Sequence, residues 1–211
     1  MALLCSCPLG AALPNLPKTT CPAGIGQIQK IIFQRLYDSD TNALITTGGD
    51  PSLKATWTAL LAAADDTKVI VSPELYQPEH KPGDKRKWGG GNTTPGGVEM
   101  NVGTNPSSFT GRFIEQDQPT TMAAIKALEC ETIGVYLIDE NGKIACISSG
   151  TVDPITYYRI PLATRSLFVG EVKFGGYEEP DGNDISWDFK PNTLFNLAVV
   201  VPSDFDALRD L

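Results

Sequence analysis

Covalent chemistry in this chain of 211 residues has few starting points: one histidine, His80, and five cysteines. A Ser, Cys or Thr nucleophile generally needs a positioned base. His80 sits among Glu79, Lys81, Pro82 and Gly83, so it reads as a solvated loop residue and not as that base. Cys5, Cys7 and Cys21 bring three thiols close in sequence, but a closed structural metal site takes four ligands and no fourth lies nearby. The cysteine number is odd and has no framework spacing, which argues against a disulfide scaffold. Cys130 and Cys146 lie in apolar contexts and are expected to be small buried side chains.

The glycine runs are no better placed. Gly89-Gly90-Gly91 and Gly96-Gly97 lack the GxxxxGK[ST] spacing and the strand-turn-helix setting of a phosphate cradle. Gly24-x-Gly26 precedes a strand where a dinucleotide turn opens a helix. The acids Glu171, Glu178, Glu179, Asp181, Asp184 and Asp188 crowd the segment 171–188 against Lys173. Their DGND run is like part of a calcium loop, without the spaced ligands and closing Glu of an EF-hand. Nor do they form a readable glycosidase pair. The expectation is a protein without catalytic residues, cofactor or metal.

The formal net charge is −8. That excludes a broad phosphate-binding face, which has to be basic, and it suits a surface that lets DNA pass without sticking. The start of the chain has no basic n-region and is broken by Pro8 and Pro14, so a signal peptide is not expected. No run is long and apolar enough for a membrane helix. The protein is expected to be made in the cytoplasm and kept at full length.

The elements that would position any site are mostly strands. Residues 1–24 are proline-rich with apolar anchors (Leu3, Leu4, Leu9, Leu13, Leu16) and read as an extended arm, lying on its own domain or on a neighbouring subunit. Residues 25–211 read as one β-rich domain. The run QIQKIIFQRLY is a strand, Asp50-Pro51 opens a helix with Leu53, Trp57, Leu60, Leu61 and Ala64 on one face, and KVIVS is a short strand. Residues 73–108 then read as a long inserted loop, too rich in Gly and Pro for regular structure. It carries the one basic cluster, Lys81, Lys85, Arg86 and Lys87 against Asp84, beside Trp88.

Beyond it, FTGRFIEQ alternates as a strand, and Pro119 opens a second helix with Met122, Ile125 and Leu128 inward. TIGVYLID is apolar on both faces, hence central, and Asn141-Gly142 turns it into a hairpin with Lys143 to Ser149. Later strands are expected at Ile155 to Ile160, at Leu167 to Phe174 with Phe168, Val172 and Phe174 on one face, at Ile185-Trp187-Phe189, and at Leu197-Val199-Val201. A weak helical signal closes the chain. Many short strands with about two helices and no βαβ rhythm imply a mainly β (α+β) fold: an antiparallel β-sandwich or barrel with flanking helices.

The runs CPAGIGQIQKIIFQRLY, FTGRFIEQDQPTTMAAIKAL, VYLIDENGKI and WDF…LAVVVPSDFDAL together resemble virion structural proteins of tailed bacteriophages, of the tail-tube or neck-ring type. The resemblance is one of overall pattern over most of the chain and includes no catalytic motif. It implies a β-sandwich subunit that forms rings or a tube around a DNA channel. It also implies a long loop reaching the adjacent ring and a terminal extension on neighbours. Its partners are copies of itself and other tail or neck proteins, with DNA only as passing cargo and no membrane. The basic loop residues Lys81, Lys85, Arg86, Lys87 and Trp88 are then expected to meet an acidic patch on the next subunit, Glu178, Glu179, Asp181, Asp184 and Asp188, which alternatively faces the lumen. Two other classes fit the same sequence: a capsid decoration or head-fibre protein, and a carbohydrate- or host-binding β-sandwich module using Trp88 as its contact.

Overall fold

A computed structural model describes residues 24–114, 119–149, 155–177 and 180–211, with backbone only at 119 and 120. The expected arm lies outside the described residues up to its last position, Gly24. The fold is mainly β, with antiparallel sheets and three helices.

Sheet one is built on β7 (Ile133–Asp139), flanked by β1 (Ile28–Arg35) and β8 (Ile144–Ser148). Beyond them lie β2 (Val69–Val71) next to β1 and β13 (Leu197–Val200) next to β8. Two short strands, β9 (Tyr157–Tyr158) on β8 and β10 (Ile160–Pro161) on β7, complete it. Sheet two runs β11 (Phe168–Lys173), β12 (Gly182–Asp188), β6 (Ser108–Ile114), β3 (Leu75–Lys81). Among the described residues the remaining strands, β4 (Lys85–Gly89) and β5 (Glu99–Thr104), form a separate two-stranded sheet.

Burial follows from the layering. All seven residues of β7 are buried because both faces of sheet one are covered. Ile133, Val135 and Leu137 enter a core shared with Phe109, Phe113, Ile185 and Trp187 of sheet two. Tyr136 and Ile138 point the other way, into a second core with Trp57 and Leu60 of α1 (Lys54–Ala62) and Ala207 of α3 (Ala207–Asp210). A strand buried on both faces loses the polar alternation of a half-solvated one, which is why TIGVYLID reads as central. Met122 and Ile125 of α2 (Pro119–Ala127) close the first core as expected. The inward row Ile185, Trp187, Phe189 is buried as its alternation requires.

The Asn141-Gly142 hairpin forms, but with three loop residues: the Asp139 amide donates to the Lys143 carbonyl, and Gly142 takes the left-handed conformation at φ 71°. That is the geometry of a turn closed by a left-handed residue and not the two-residue mirror-image turn. The buried Asp139 carboxylate fastens it, accepting from the amides of Asn141 and Lys143 and, at 2.8 Å, from that of Gly26.

Several expectations change. The stretch 73–108 is not without regular structure, since it contains β3, β4 and β5. Five of its glycines cluster at the tip of the β4–β5 hairpin, where Gly89, Gly90, Gly91, Gly96 and Gly97 all have positive φ that side-chain-bearing residues avoid. Helix α1 begins at Lys54 and not at Pro51, because the Asp50 carboxylate accepts from the Ser52 amide in a local turn. The free amide of Lys54 is met instead by Asp204 at 2.8 Å. Phe168, Val172 and Phe174 do not share an inward face. The register shifts between Val169 and Val172, which sets Phe168 opposite Ser186 and Val172 opposite Asn183, and Val169 is the buried residue. In β13 the residues packed inward are Ala198 and Val200, not the expected odd set, and Leu197 and Val201 are exposed. Cys146 is buried, whereas Cys130 is exposed.

Candidate functional site

The basic cluster is divided by the fold. Lys81 ends β3 and belongs to sheet two, where the register places it in a row with Ser108 and Asp188. Two strand spacings make that separation about 10 Å. Lys85, Arg86, Lys87 and Trp88 belong to the β4–β5 hairpin, and every residue of β4 is exposed. A close crossing at its base holds the hairpin: the Asn105 amide donates to the Asp84 carbonyl at 2.8 Å. A Cβ on Gly83 would come within 2.0 Å of the Asn105 carbonyl oxygen, so only glycine permits the crossing. At the tip, the Thr94 hydroxyl accepts from the Gly90 amide and donates to the Val98 carbonyl at 2.7 Å.

The hairpin is amphipathic. Trp88 stands opposite Met100, with Val98 two residues before Met100, just ahead of β5. The other face carries Lys87, whose ammonium pairs with Glu99 at 2.5 Å. Lys85 and Arg86 make no ion pair among the described residues. Trp88 is 52% exposed and Val98 64%, values that an apolar pair does not reach when its own domain covers it. An exposed apolar face beside cations is the composition of a contact surface. The period-two spacing of Val98, Met100 and Val102 was the sequence signal for it, masked by the surrounding glycines.

The acidic group is also divided. Glu178 and Glu179 lie outside the described residues. Asp181 precedes β12 and accepts from the Gly175 amide at 2.7 Å. Asp184 and Asp188 sit on the outer face of sheet two, at either side of Ser186. Ser186 is paired with Phe168, which is 59% exposed on the edge strand β11. Asp184 lies 3.9 Å from the Arg112 guanidinium of the neighbouring strand. The result is an exposed aromatic flanked by carboxylates, the inverse in charge of the Trp88 face.

His80 is the one titratable group at the mouth of an apolar cleft between the two sheets, a feature that sequence reading did not foresee. The cleft has a volume of about 240 Å³ and is lined by residues including Phe109, Leu137, Ile160, Phe189 and Leu197. It draws on eight strands or strand ends that are far apart in the chain, so no local pattern announces it. The imidazole meets the Phe189 ring edge-on at 6.0 Å, and burial pushes its pKa down. The Cys146 thiol is pushed up to about 12 by burial, which keeps it protonated and inert at neutral pH. Among the described residues no group of three His, Cys, Asp or Glu could hold a metal ion, and no helix is long and apolar enough to cross a membrane.

Comparison with protein-family models gives no match, and a search of curated proteins gives no relative.

Proposed function

We propose that this protein is a non-enzymatic structural subunit that assembles with copies of itself, as the tail-tube and neck-ring subunits of tailed bacteriophages do, into a ring or tube enclosing a DNA channel. The observation that carries the reading is the β4–β5 hairpin, which pairs with no other strand among the described residues and leaves Trp88 and Val98 exposed. A second copy offers what it lacks. Trp88, with Arg86 two residues before it on the same face, is matched in charge and in aromatic character by Phe168 beside Asp184 and Asp188. Contacts between two different patches of identical subunits are heterologous, and such contacts close into rings or continue as tubes.

The net charge of −8 supports a lumen that DNA traverses without adhering. On this reading the protein resides in the virion, its partners are copies of itself and neighbouring tail or neck proteins, and DNA is passing cargo.

Negative-stain electron microscopy of the purified chain, with light scattering at rising concentration, tests the reading. Rings or stacked rings with a central channel are expected. Reversing Lys85 and Arg86 to Glu is expected to abolish them while the circular dichroism of the monomer stays unchanged. A chain that remains monomeric at high concentration, or assembles as a trimer without a channel, refutes it. Glycan binding lost on Trp88→Ala would transfer the hairpin to a carbohydrate-recognition role.

A further inference from the structure

We infer that Glu129 closes the free edge of β11, and that this edge, once opened, pairs with the β11 edge of a second copy. The inference does not rest on the assembly proposed above, which uses the β4–β5 hairpin.

The edge of a sheet carries unpaired amides and carbonyls that invite a further strand, and folded chains blunt such edges. Among the described residues, sheet one ends on β2, of three residues, and on β13, of four. Strands this short give an incoming strand little to hold. The far edge of sheet two is β3, which contains Pro78 and so lacks an amide there. Its register also shifts between Tyr76 and Glu79, where Gln77 takes φ 50°.

Strand β11 has neither defence. It runs for six residues without a proline and exposes Phe168, Glu171, Val172 and Lys173. Aromatic and β-branched residues are those that strands favour. The charges of β11 do not protect it from a copy of itself. In an antiparallel pairing centred on Val172, Glu171 of each copy faces Lys173 of the other, and opposite charges across two strands attract.

Glu129 stands in the way. Its carboxylate accepts from the Val169 amide at 2.7 Å, within the range of an amide–carbonyl bond. It therefore fills the place that the carbonyl of an added strand would take. The two residues lie 40 apart in the chain, so no local turn accounts for the contact. Helix α2 runs on into a 3-10 turn, Leu128–Cys130, closed by the Glu131 amide donating to the Leu128 carbonyl at 3.0 Å. Leu128 packs on the first core and Glu131 pairs with Arg35 at 2.9 Å, which anchors the turn on both sides of Glu129. A carboxylate binds an amide more strongly than a neutral acceptor does, so an incoming strand has to break that bond before it gains its own. The register shift between Val169 and Val172 puts a bulge beside the plug, and bulges at sheet edges end pairing.

Sedimentation velocity on the full-length chain carrying Lys85→Glu and Arg86→Glu, which takes the hairpin's cations out of the readout, tests the inference. Adding Glu129→Ala should strengthen self-association about tenfold or more, because pairing no longer displaces a hydrogen bond to a charged group. Glu129→Gln keeps an acceptor oxygen in place and should associate no more than the chain with Glu129 intact. Val172→Lys, added to Glu129→Ala, sets like charges opposite each other in the centred pairing and should reverse the gain. Unchanged association in Glu129→Ala overturns the inference. So does a Glu129→Gln chain that associates as Glu129→Ala does, which would assign the effect to charge and not to the occupied amide. Association that survives Val172→Lys also overturns it, by placing the contact elsewhere. Ring formation is read separately, by microscopy of the chain with Lys85 and Arg86 intact, so either result stands without the other.

Discussion

Strands β7 and β4 are both flanked by hairpin partners, yet one has every residue buried and the other has every residue exposed. The difference lies in what covers their faces. Strand β7 is sandwiched between sheet two and the layer of α1 and α3, so each of its side chains contributes to a core. The β4–β5 hairpin has no layer on either face among the described residues, and it keeps its shape through a glycine-permitted crossing at its base and the Thr94 clasp at its tip. Burial from both sides makes a scaffold, and the exposed apolar residues of the hairpin are what the proposed assembly would use as its contact surface. The two regions should therefore respond oppositely to mutation.

The largest effect tests the scaffold. Trp57 is fully buried against the second face of sheet one, edge-on to Tyr136 at 5.1 Å, and its indole N–H donates to the Pro51 carbonyl at 2.9 Å. Trp57→Ala removes the packing and leaves that carbonyl unpaired, with an expected loss of about 3–5 kcal/mol in urea unfolding. A loss below about 1 kcal/mol, within the range of exposed sites, would mean that the helical layer is not a second core, and the contrast with the hairpin would collapse.

The middle effect tests the contact surface. Trp88→Ala is expected to change folding stability by no more than about 0.5 kcal/mol, as for other exposed positions. Self-association should weaken by about 2 kcal/mol, roughly thirtyfold, as for a central aromatic anchor. Unfolding curves and sedimentation velocity on the same sample separate the two. If Trp88→Ala destabilises the monomer as Trp57→Ala does, the hairpin is covered by its own chain and is no assembly surface.

What the sequence discloses follows the same division. The scaffold was legible because burial on both faces writes an uninterrupted apolar run, as in TIGVYLID, and burial on one face writes alternation, as in Ile185-Trp187-Phe189. The candidate surfaces were half-legible. The cations and Trp88 stand out, but the strands carrying them are hidden by glycines, most of which serve the tip and one of which, Gly83, serves the crossing at the base. Phe168 and Val172 read as sharing one face because alternation without a bulge would place them so, and the register shift between Val169 and Val172 separates them. The start of α1 was illegible because its capping acid, Asp204, comes 150 residues later. The cleft was illegible for the same reason, since only the folded topology brings β3 to β13.

The smallest effect sharpens the claim that burial and not surface charge secures the scaffold. Asp66, in the turn before β2, accepts from the Ser39 amide at 2.6 Å and pairs with the Arg35 guanidinium, which also meets Glu131 at 2.9 Å. The bonds from Ser39, and then that from Arg35, hold the Asp66 carboxyl down at about 2. A carboxyl whose folded pKa is depressed stabilises fully above its unfolded value, near ~4, and that stabilisation is lost as pH falls through about 2. Exposed ion pairs contribute little at neutral pH. Asp66→Asn is therefore expected to lower the thermal midpoint slightly at pH 7, where the stabilisation by the carboxylate is fully present, and to flatten its decline between about pH 4 and pH 2. A large loss at pH 7 would instead give this rim network a structural weight comparable to the second core, and would move the boundary of the scaffold outward to include it.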